Sequence, residues 1–199
     1  MILSRADLRK AVEAGEVAFS PALEDNQWGE VSIDLRLGFS FTKIREAPGI
    51  TLSVAEGLGT IGGAKLWDTQ QLAERDASGR REHFILEPGQ FVLALTYESI
   101  TVPRHLIAHV EGRSTYARMG VSMHQTAPWI QPGSSGPIVL EIMNNGPLHI
   151  ALTPLDDRPC QITFFELKTE VPAGAQYGSR PTDKYQGQSH PLDHGIKPG

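Results

Sequence analysis

Apolar positions follow two regimes along the chain. Near the N-terminus they recur at helical spacing, with Leu8, Ala11 and Val12 marking one face. Ser4 and Asp7 form an S-x-x-D capping box, Leu3 and Leu8 bracket it as a hydrophobic staple, and Gly15 offers a stop. From Val31 the period changes to two. In VSIDLRLG, Val31, Ile33, Leu35 and Leu37 alternate with Ser32, Asp34, Arg36 and Gly38, which predicts a half-buried strand. Residues 53–82 keep neither period; Gly57, Gly59, Gly62, Gly63 and the turn DASGRR predict an irregular excursion or a hairpin. Short apolar runs then follow at 84–86, 91–96, 100–102, 106–110, 138–143, 148–152 and 161–167, separated by turn clusters such as EPGQ at 87–90. With helical periodicity nearly absent after residue 20, the pattern predicts a mainly β sandwich or jelly-roll-like barrel. Past Val171 aliphatic residues become scarce, so the last segment cannot build a core of its own. It reads as a frayed terminus or as an arm ordering over a ligand or a neighbouring subunit, with Tyr177, Lys184, Tyr185 and Gln188 as suitable groups.

Composition agrees with strands and turns. The 199 residues include 20 Gly and 14 Pro, above average usage of roughly 7% and 5%. This length suits one domain, with or without an extended tail. The single cysteine, Cys160, excludes an internal disulfide framework, a CxxC zinc site and an iron–sulfur cluster. With 18 Lys plus Arg against 23 Asp plus Glu and a net charge of −5, the chain is not expected to coat nucleic acid, although a local anion site remains open. No run approaches the ~18 apolar residues of a membrane span. MILSRADLRK places charge where a signal peptide needs apolar residues, so a soluble, cytoplasmic setting is expected.

The densest polar cluster among the apolar runs lies at 112–141. In GRSTYARMG, Ser114 is expected to cap a short helix, with Arg118 four residues on along the same face and Arg113 just before the cap. Two guanidiniums beside a helix N-terminus suit a phosphate or carboxylate; equally, they are solvated arginines on an ordinary capped turn. Glu141 is more unusual. In IVLEIM both strand faces carry apolar residues, so the carboxylate would be poorly hydrated, its pKa raised, and a proton shuttle near neutral pH available. The alternative is a Glu facing water on an edge strand. His124 in VSMHQTAPWI reads as a hydrogen-bonded structural residue rather than a base. No metal site is expected, the zinc-deaminase signature cannot be assembled, and neither a GxxxxGK[ST] loop nor a GxSxG elbow occurs.

These residues add up to a resemblance. GRSTYARMGVSMHQTAPWIQPGSSGPIVLE closely resembles the signature of the dCTP deaminases in the dUTPase-like superfamily, approximately GRSSLxRxGLxxHxTAxxIDPGxxGxIxLE. VSIDLRLG is similar to the family's SIDxRLG strand, LEPGQFVLALTYESITVP to its LxPGxFxLxxTxExxxxP segment, and QYGSRPTDKYQGQ to its Y…KYxxQ tail. The likeness spans most of the chain in the same order.

The resemblance implies a dUTPase-like distorted jelly-roll or β-barrel with a short N-terminal helix and an extended C-terminal arm. Residues 1–171 would form the β domain and 172–199 an arm closing over the active site. It further implies a homotrimer with sites between subunits, and zinc-independent hydrolysis of dCTP to dUTP and ammonia in pyrimidine deoxynucleotide metabolism. Glu141 would activate water for attack at cytosine C4 and return the proton to the departing amine, while Ser114 and Arg118 hold the water and the carboxylate. Arg113, Thr115, Tyr116, Ala117 and Arg118 would meet the phosphates, largely through backbone. Val139, Leu140, Ala127, Gln131 and Gln161 complete the implied contacts, and Tyr177, Lys184 and Gln188 close from the tail. Mg²⁺ would arrive on the triphosphate rather than in a protein cage. dTTP is a candidate inhibitor; no nucleic acid or membrane partner is implied.

Three positions depart from the signature. Gln131 stands where the family has Asp, and Pro128 and Trp129 precede it where many monofunctional members carry His and Arg. Members that also hydrolyse the triphosphate tend to carry Gly followed by an aromatic, so Trp129 leans toward them. Gln131 leans away, because an amide cannot accept the proton of a water attacking the α-phosphate, although it can bond a deoxyribose hydroxyl. Deamination to dUTP is thus the leading expectation. A bifunctional enzyme giving dUMP and pyrophosphate comes second, and a non-catalytic nucleotide-binding regulator third.

Overall fold

The computed structural model describes residues 1–51, 66–183 and 185–191. Helix α1 (Arg5–Glu13) is followed by β1 (Ala18–Ser20), a 3-10 turn (Asp25–Gln27), β2 (Ile33–Leu35) and β3 (Leu37–Ile44). Next come β4 (Trp67–Gln71), β5 (Phe84–Leu86), β6 (Phe91–Thr101) and β7 (Leu106–Gly112). A one-turn helix α2 (Ser114–Arg118) leads to β8 (Val121–Ser122), β9 (Trp129–Ile130), β10 (Ser135–Asn144), β11 (Ile150–Leu152) and β12 (Cys160–Glu166). Among the described residues no helix is long and apolar enough to cross a membrane.

All strand pairs are antiparallel. One sheet runs β4-β3-β6-β10-β8, with β1 also paired to β6; a second runs β2-β12-β7-β9, and β11 pairs with β5. The two larger sheets share a single core in which Leu35, Leu37, Phe41, Leu140, Ile142 and Phe164 are almost wholly buried. Phe41 and Phe84 stack there with ring centroids 4.5 Å apart. The architecture is therefore mainly β and jelly-roll-like, as the pattern predicts, with open sheets instead of a closed barrel.

Local sequence chemistry explains α1 directly. Asp7 Oδ2 accepts the Ser4 N–H at 3.1 Å and Ser4 Oγ accepts the Asp7 N–H at 3.4 Å, while Leu3 and Leu8 enter the core. Gly15 adopts φ +72° beyond the helix end, a conformation that costs glycine little.

Elsewhere tertiary pairing redraws the expected boundaries. Val31 is 48% exposed and lies outside β2, which starts at Ile33. Arg36 interrupts the alternation between β2 and β3 because its side chain turns inward to Glu98, with Nε at 2.6 Å from Oε1. The runs at 91–96 and 100–102 are one strand, β6; the residues between them include no Gly or Pro, and β1, β3 and β10 all pair along it. In VSMHQTAPWI only the two-residue strands β8 and β9 form, with irregular chain between them. Gly57, Gly59, Gly62 and Gly63 lie outside the described residues; within the described part, β4 pairs with β3, and Arg75 bridges Arg81 across a turn.

Candidate active site

Strand β10 lies between β6 and β8, so Glu141 is not on an edge. Ile138, Leu140 and Ile142 point into the core, leaving Val139, Glu141 and Met143 half-buried on the opposite face. A β-bulge shifts the register between Pro137 and Val139. Proline has no N–H for the ladder, and Thr96 Oγ1 accepts the Ile138 N–H at 2.9 Å to restore order. Glu141 lines a cavity of about 320 Å³ with Leu93, Ile100, Val110, His124, Ala127, Trp129, Gln131 and Val139. That volume sits at the low end of the roughly 300–1,000 Å³ of small-molecule sites.

The C-terminal arm supplies another wall, through Tyr177, Tyr185, Gln188 and Pro191. It is fastened to the β9–β10 turn by backbone and amide bonds. Tyr177 N donates to Pro132 O at 2.9 Å, Gln186 Nε2 to Gly133 O at 3.0 Å, and Gly187 N to Ser135 O at 2.9 Å. At Gly133, which has φ +90°, a Cβ would meet the Gln176 side chain at 2.7 Å, so the close approach requires glycine. Burial raises the Tyr177 phenol, whose oxygen accepts the Tyr185 N–H at 3.1 Å.

Glu141 is held from the segment after β8. Gln125 N donates to Glu141 Oε2 at 2.9 Å, and the Gln125 side-chain amide reaches Glu141 O at 3.3 Å. His124 Nε2 lies 2.9 Å from Glu111 Oε1, while its Nδ1 is buried without a protein partner. Partial burial opposes ionisation of Glu111, yet the His124 contact and the Gly112 N–H hold its carboxyl below the ordinary value. His124 is therefore hydrogen-bonded, as expected, but it also lines the cavity.

The α2 region faces elsewhere. Ser114 is the first helical residue rather than the cap; Arg113 occupies the cap position with extended φ −93° and ψ 145° and no side-chain capping bond. The reason is visible in the anchoring of Arg113, whose Nη1 lies 3.2 Å from Asp34 Oδ2 and donates to Arg158 O at 3.0 Å. Burial raises the Asp34 carboxyl despite the attraction of Arg113 and Arg158. Tyr116 is buried and its hydroxyl donates to Asp157 Oδ1 at 2.6 Å; burial and this carboxylate push its phenol well up. Ser114 and Arg118 are exposed, and their side chains have no hydrogen-bond or ion-pair partner among the described residues.

Of the sequence-derived site residues, the fold gathers Ala127, Gln131, Val139, Glu141, Tyr177 and Gln188 around one cavity. Arg113, Ser114, Thr115, Tyr116, Arg118 and Gln161 do not line it, and Ala117 lines a separate groove that shares His124. The Leu140 side chain is in the core, Gln161 accepts from Ser32 Oγ at 3.0 Å on β12, and Lys184 lies outside the described residues. Gln125 is a contact that sequence reasoning missed, because only the register of 121–125 against β10 reveals it. His105 and His109 have HxxxH spacing, but extended chain separates them: His105 faces Glu16 at 3.6 Å, and the His109 ring meets Trp129 edge-on at 4.6 Å. Among the described residues no group of three or more His, Cys, Asp or Glu is arranged to hold a metal ion.

Comparison with known proteins places these observations in a lineage. A family model described as dCTP deaminase-like matches residues 2–167. A dCTP deaminase of Haloarcula marismortui is 40% identical over 192 residues, covering 96% of this chain and 92% of its own. A "dCTP deaminase, dUMP-forming" of Methanosphaera stadtmanae is 37% identical over 197 residues, covering 98% and 94%. The crystal structure of 2'-deoxycytidine 5'-triphosphate deaminase from Agrobacterium tumefaciens superposes with TM-score 0.61 at 23% identity, over 82% of this chain. This chain spans 48% of that longer one, and the likeness is one of fold.

Proposed function

The chain belongs to the dCTP deaminase-like family, and we propose that it converts dCTP, presented as its Mg²⁺ complex, to dUTP and ammonia with Glu141 as the base. The observation that carries this reading is the half-buried Glu141 carboxylate on the wall of a nucleoside-sized cavity, with one oxygen tied to a backbone N–H. The other oxygen is available to a water molecule. Glu141 takes a proton from that water as its oxygen adds to cytosine C4. It then delivers the proton to the exocyclic nitrogen as the C4–N bond breaks and ammonia leaves, and the water's second proton passes from the C4 hydroxyl to ring N3 to give the uracil carbonyl. The apolar wall of Leu93, Ile100, Val110 and Ile130 strengthens the electrostatics of this exchange by excluding solvent.

The site is read as shared between subunits of a homotrimer. Ser114 and Arg118 are exposed on α2 and absent from the cavity that holds Glu141, which supports their delivery to a neighbouring copy's cavity. Tyr177 and Gln188 would close over the nucleotide from the arm, with Lys184 expected beside them. Mixing two inactive variants, Glu141→Gln and Arg118→Ala, tests the sharing: random assembly should restore about a quarter of the sites. Activity that stays at the parental background rejects it.

The second reading, a dUMP-forming enzyme, is favoured by Trp129 at the cavity. Against it stands Gln131, an amide on the cavity wall where water attack at phosphorus needs a carboxylate. Incubation with dCTP and Mg²⁺, followed by assay of ammonia, dUTP, dUMP and pyrophosphate, decides between them. Ammonia with dUTP supports the leading reading; ammonia with pyrophosphate and dUMP replaces it. Nucleotide binding without ammonia overturns both.

A further inference from the structure

We propose that the Gln125 side chain is a positioning device for Glu141, taking over a backbone bond of the strand ladder at the Glu141 carbonyl while the Gln125 N–H holds the carboxylate. The inference rests on Glu141 being the base. Its origin is the pairing of residues 121–125 with β10. Met143 pairs with Ser122, and Glu141 N donates to Met123 O at 3.1 Å. In a regular antiparallel ladder paired residues exchange both bonds, so the reciprocal one would run from Met123 N–H to Glu141 C=O. Here the Glu141 carbonyl takes its donor from the Gln125 side chain instead. Gln125 N–H donates to Glu141 Oε2 at 2.9 Å, and Gln125 Nε2 donates to Glu141 O at 3.3 Å.

One residue thus supplies two donors to Glu141, one to its carboxylate and one to its carbonyl. The arrangement leaves neither the Gln125 N–H nor the Glu141 carbonyl without a partner, a condition that half-buried backbone must meet. An apolar side chain at 125 breaks this closure. Either the carbonyl loses its donor, or the segment shifts to restore one and the carboxylate loses its only hydrogen bond among the described residues. Gln125 is exposed, so its amide does not act by filling a core. His124, the neighbouring titratable group, is committed to Glu111 at 2.9 Å and does not replace it. A carboxylate pinned at one oxygen presents the other in a fixed direction, which is what proton transfer to and from a bound water demands.

The test compares the full-length chain with Gln125→Met, Glu141→Gln and the double variant. Methionine keeps length and removes both amide hydrogens. For Gln125→Met we expect kcat to fall about tenfold with KM for Mg²⁺–dCTP within about twofold, the split of a positioning residue. The second readout does not depend on activity. The amide proton shift of residue 125 should move on Glu141→Gln in the native background, and should cease to respond in the Gln125→Met background. Unchanged kcat in Gln125→Met overturns the proposal, and so does an amide that still senses Glu141 in that variant. If the native chain releases no ammonia, the deaminase reading fails while the amide experiment still decides whether the Gln125 side chain positions the carboxylate.

Discussion

Two glutamates occupy neighbouring strands, and their surroundings assign them opposite tasks. Glu98 on β6 is fully buried, and its carboxylate receives Arg36 N, Arg36 Nε and Gln27 Nε2 at 2.8, 2.6 and 3.0 Å. Arg36 in turn reaches Glu24 at 2.5 Å and lies over the Tyr97 ring at 4.9 Å. Both carboxylate oxygens of Glu98 are engaged by the fold and closed off from solvent. Glu141 on β10 is half-buried, receives one backbone N–H, and opens to a cavity. Both are charged residues in apolar strands, but only the second keeps hydrogen-bonding capacity for a ligand. The difference teaches that a buried carboxylate serves chemistry only when the fold leaves it incompletely satisfied.

The sharpest way to break the comparison is Glu141→Gln. Ammonia release should fall at least ~10³-fold while the melting temperature and dCTP affinity stay near native values, as steady-state assays and calorimetry would read. A variant that keeps its turnover transfers the base to another group. The reciprocal change, Glu98→Ala, should act on stability, because Arg36 is left buried with Glu24 as its remaining charge partner. Urea unfolding is expected to show a loss of about 3–5 kcal/mol. A loss below ~1 kcal/mol would mean that the network is not structural.

Tyr116→Phe sharpens the same contrast around α2, where the Tyr116–Asp157 bond is satisfied and Ser114 and Arg118 are not. We expect a destabilisation of about 1.5 kcal/mol in chemical denaturation, with nucleotide affinity falling less than in Arg118→Ala. The smallest effect concerns Glu111, whose side chain is 56% exposed. Its carboxyl is held below the ordinary carboxylate value by its hydrogen bonds, which outweigh partial burial. That interaction therefore stabilises the fold above the unfolded pKa and is lost as pH falls through the folded value. In Glu111→Gln the acid limb of the stability–pH curve should flatten by a few tenths of a kcal/mol at about pH 4.5 and below. A steeper limb would reverse the sign.

Much of this was legible along the chain because the controlling interactions are short in sequence. The Ser4–Asp7 box, the Leu3–Leu8 staple and the alternation at Ile33, Leu35 and Leu37 depend on neighbours within a few residues. The oddity of Glu141 was legible too, since a carboxylate between Leu140 and Ile142 breaks an otherwise apolar run. Residues whose state depends on distant partners were not. Arg36 has the position of an outward strand residue, and Glu98, sixty-two residues away, turns it inward. Ser114 has the chemistry of a cap, yet Asp34 and Arg158 fix Arg113 in that place.

The amino-acid sequence by itself determined the mainly β character, the N-terminal helix, the polar segment proposed to carry the chemistry and the family to which the chain belongs. Periodicity, capping and contiguous motifs encode these, and each acts over a short span. Only the tertiary structure decided that Glu141 and the arm residues Tyr177 and Gln188 share a cavity, that Ser114 and Arg118 face away from it, and that Gln125 holds the carboxylate. Those outcomes follow from strand register and from competition for buried hydrogen-bond donors. A shift of one residue in the pairing of 121–125 with β10 would take Gln125 away from the Glu141 carboxylate.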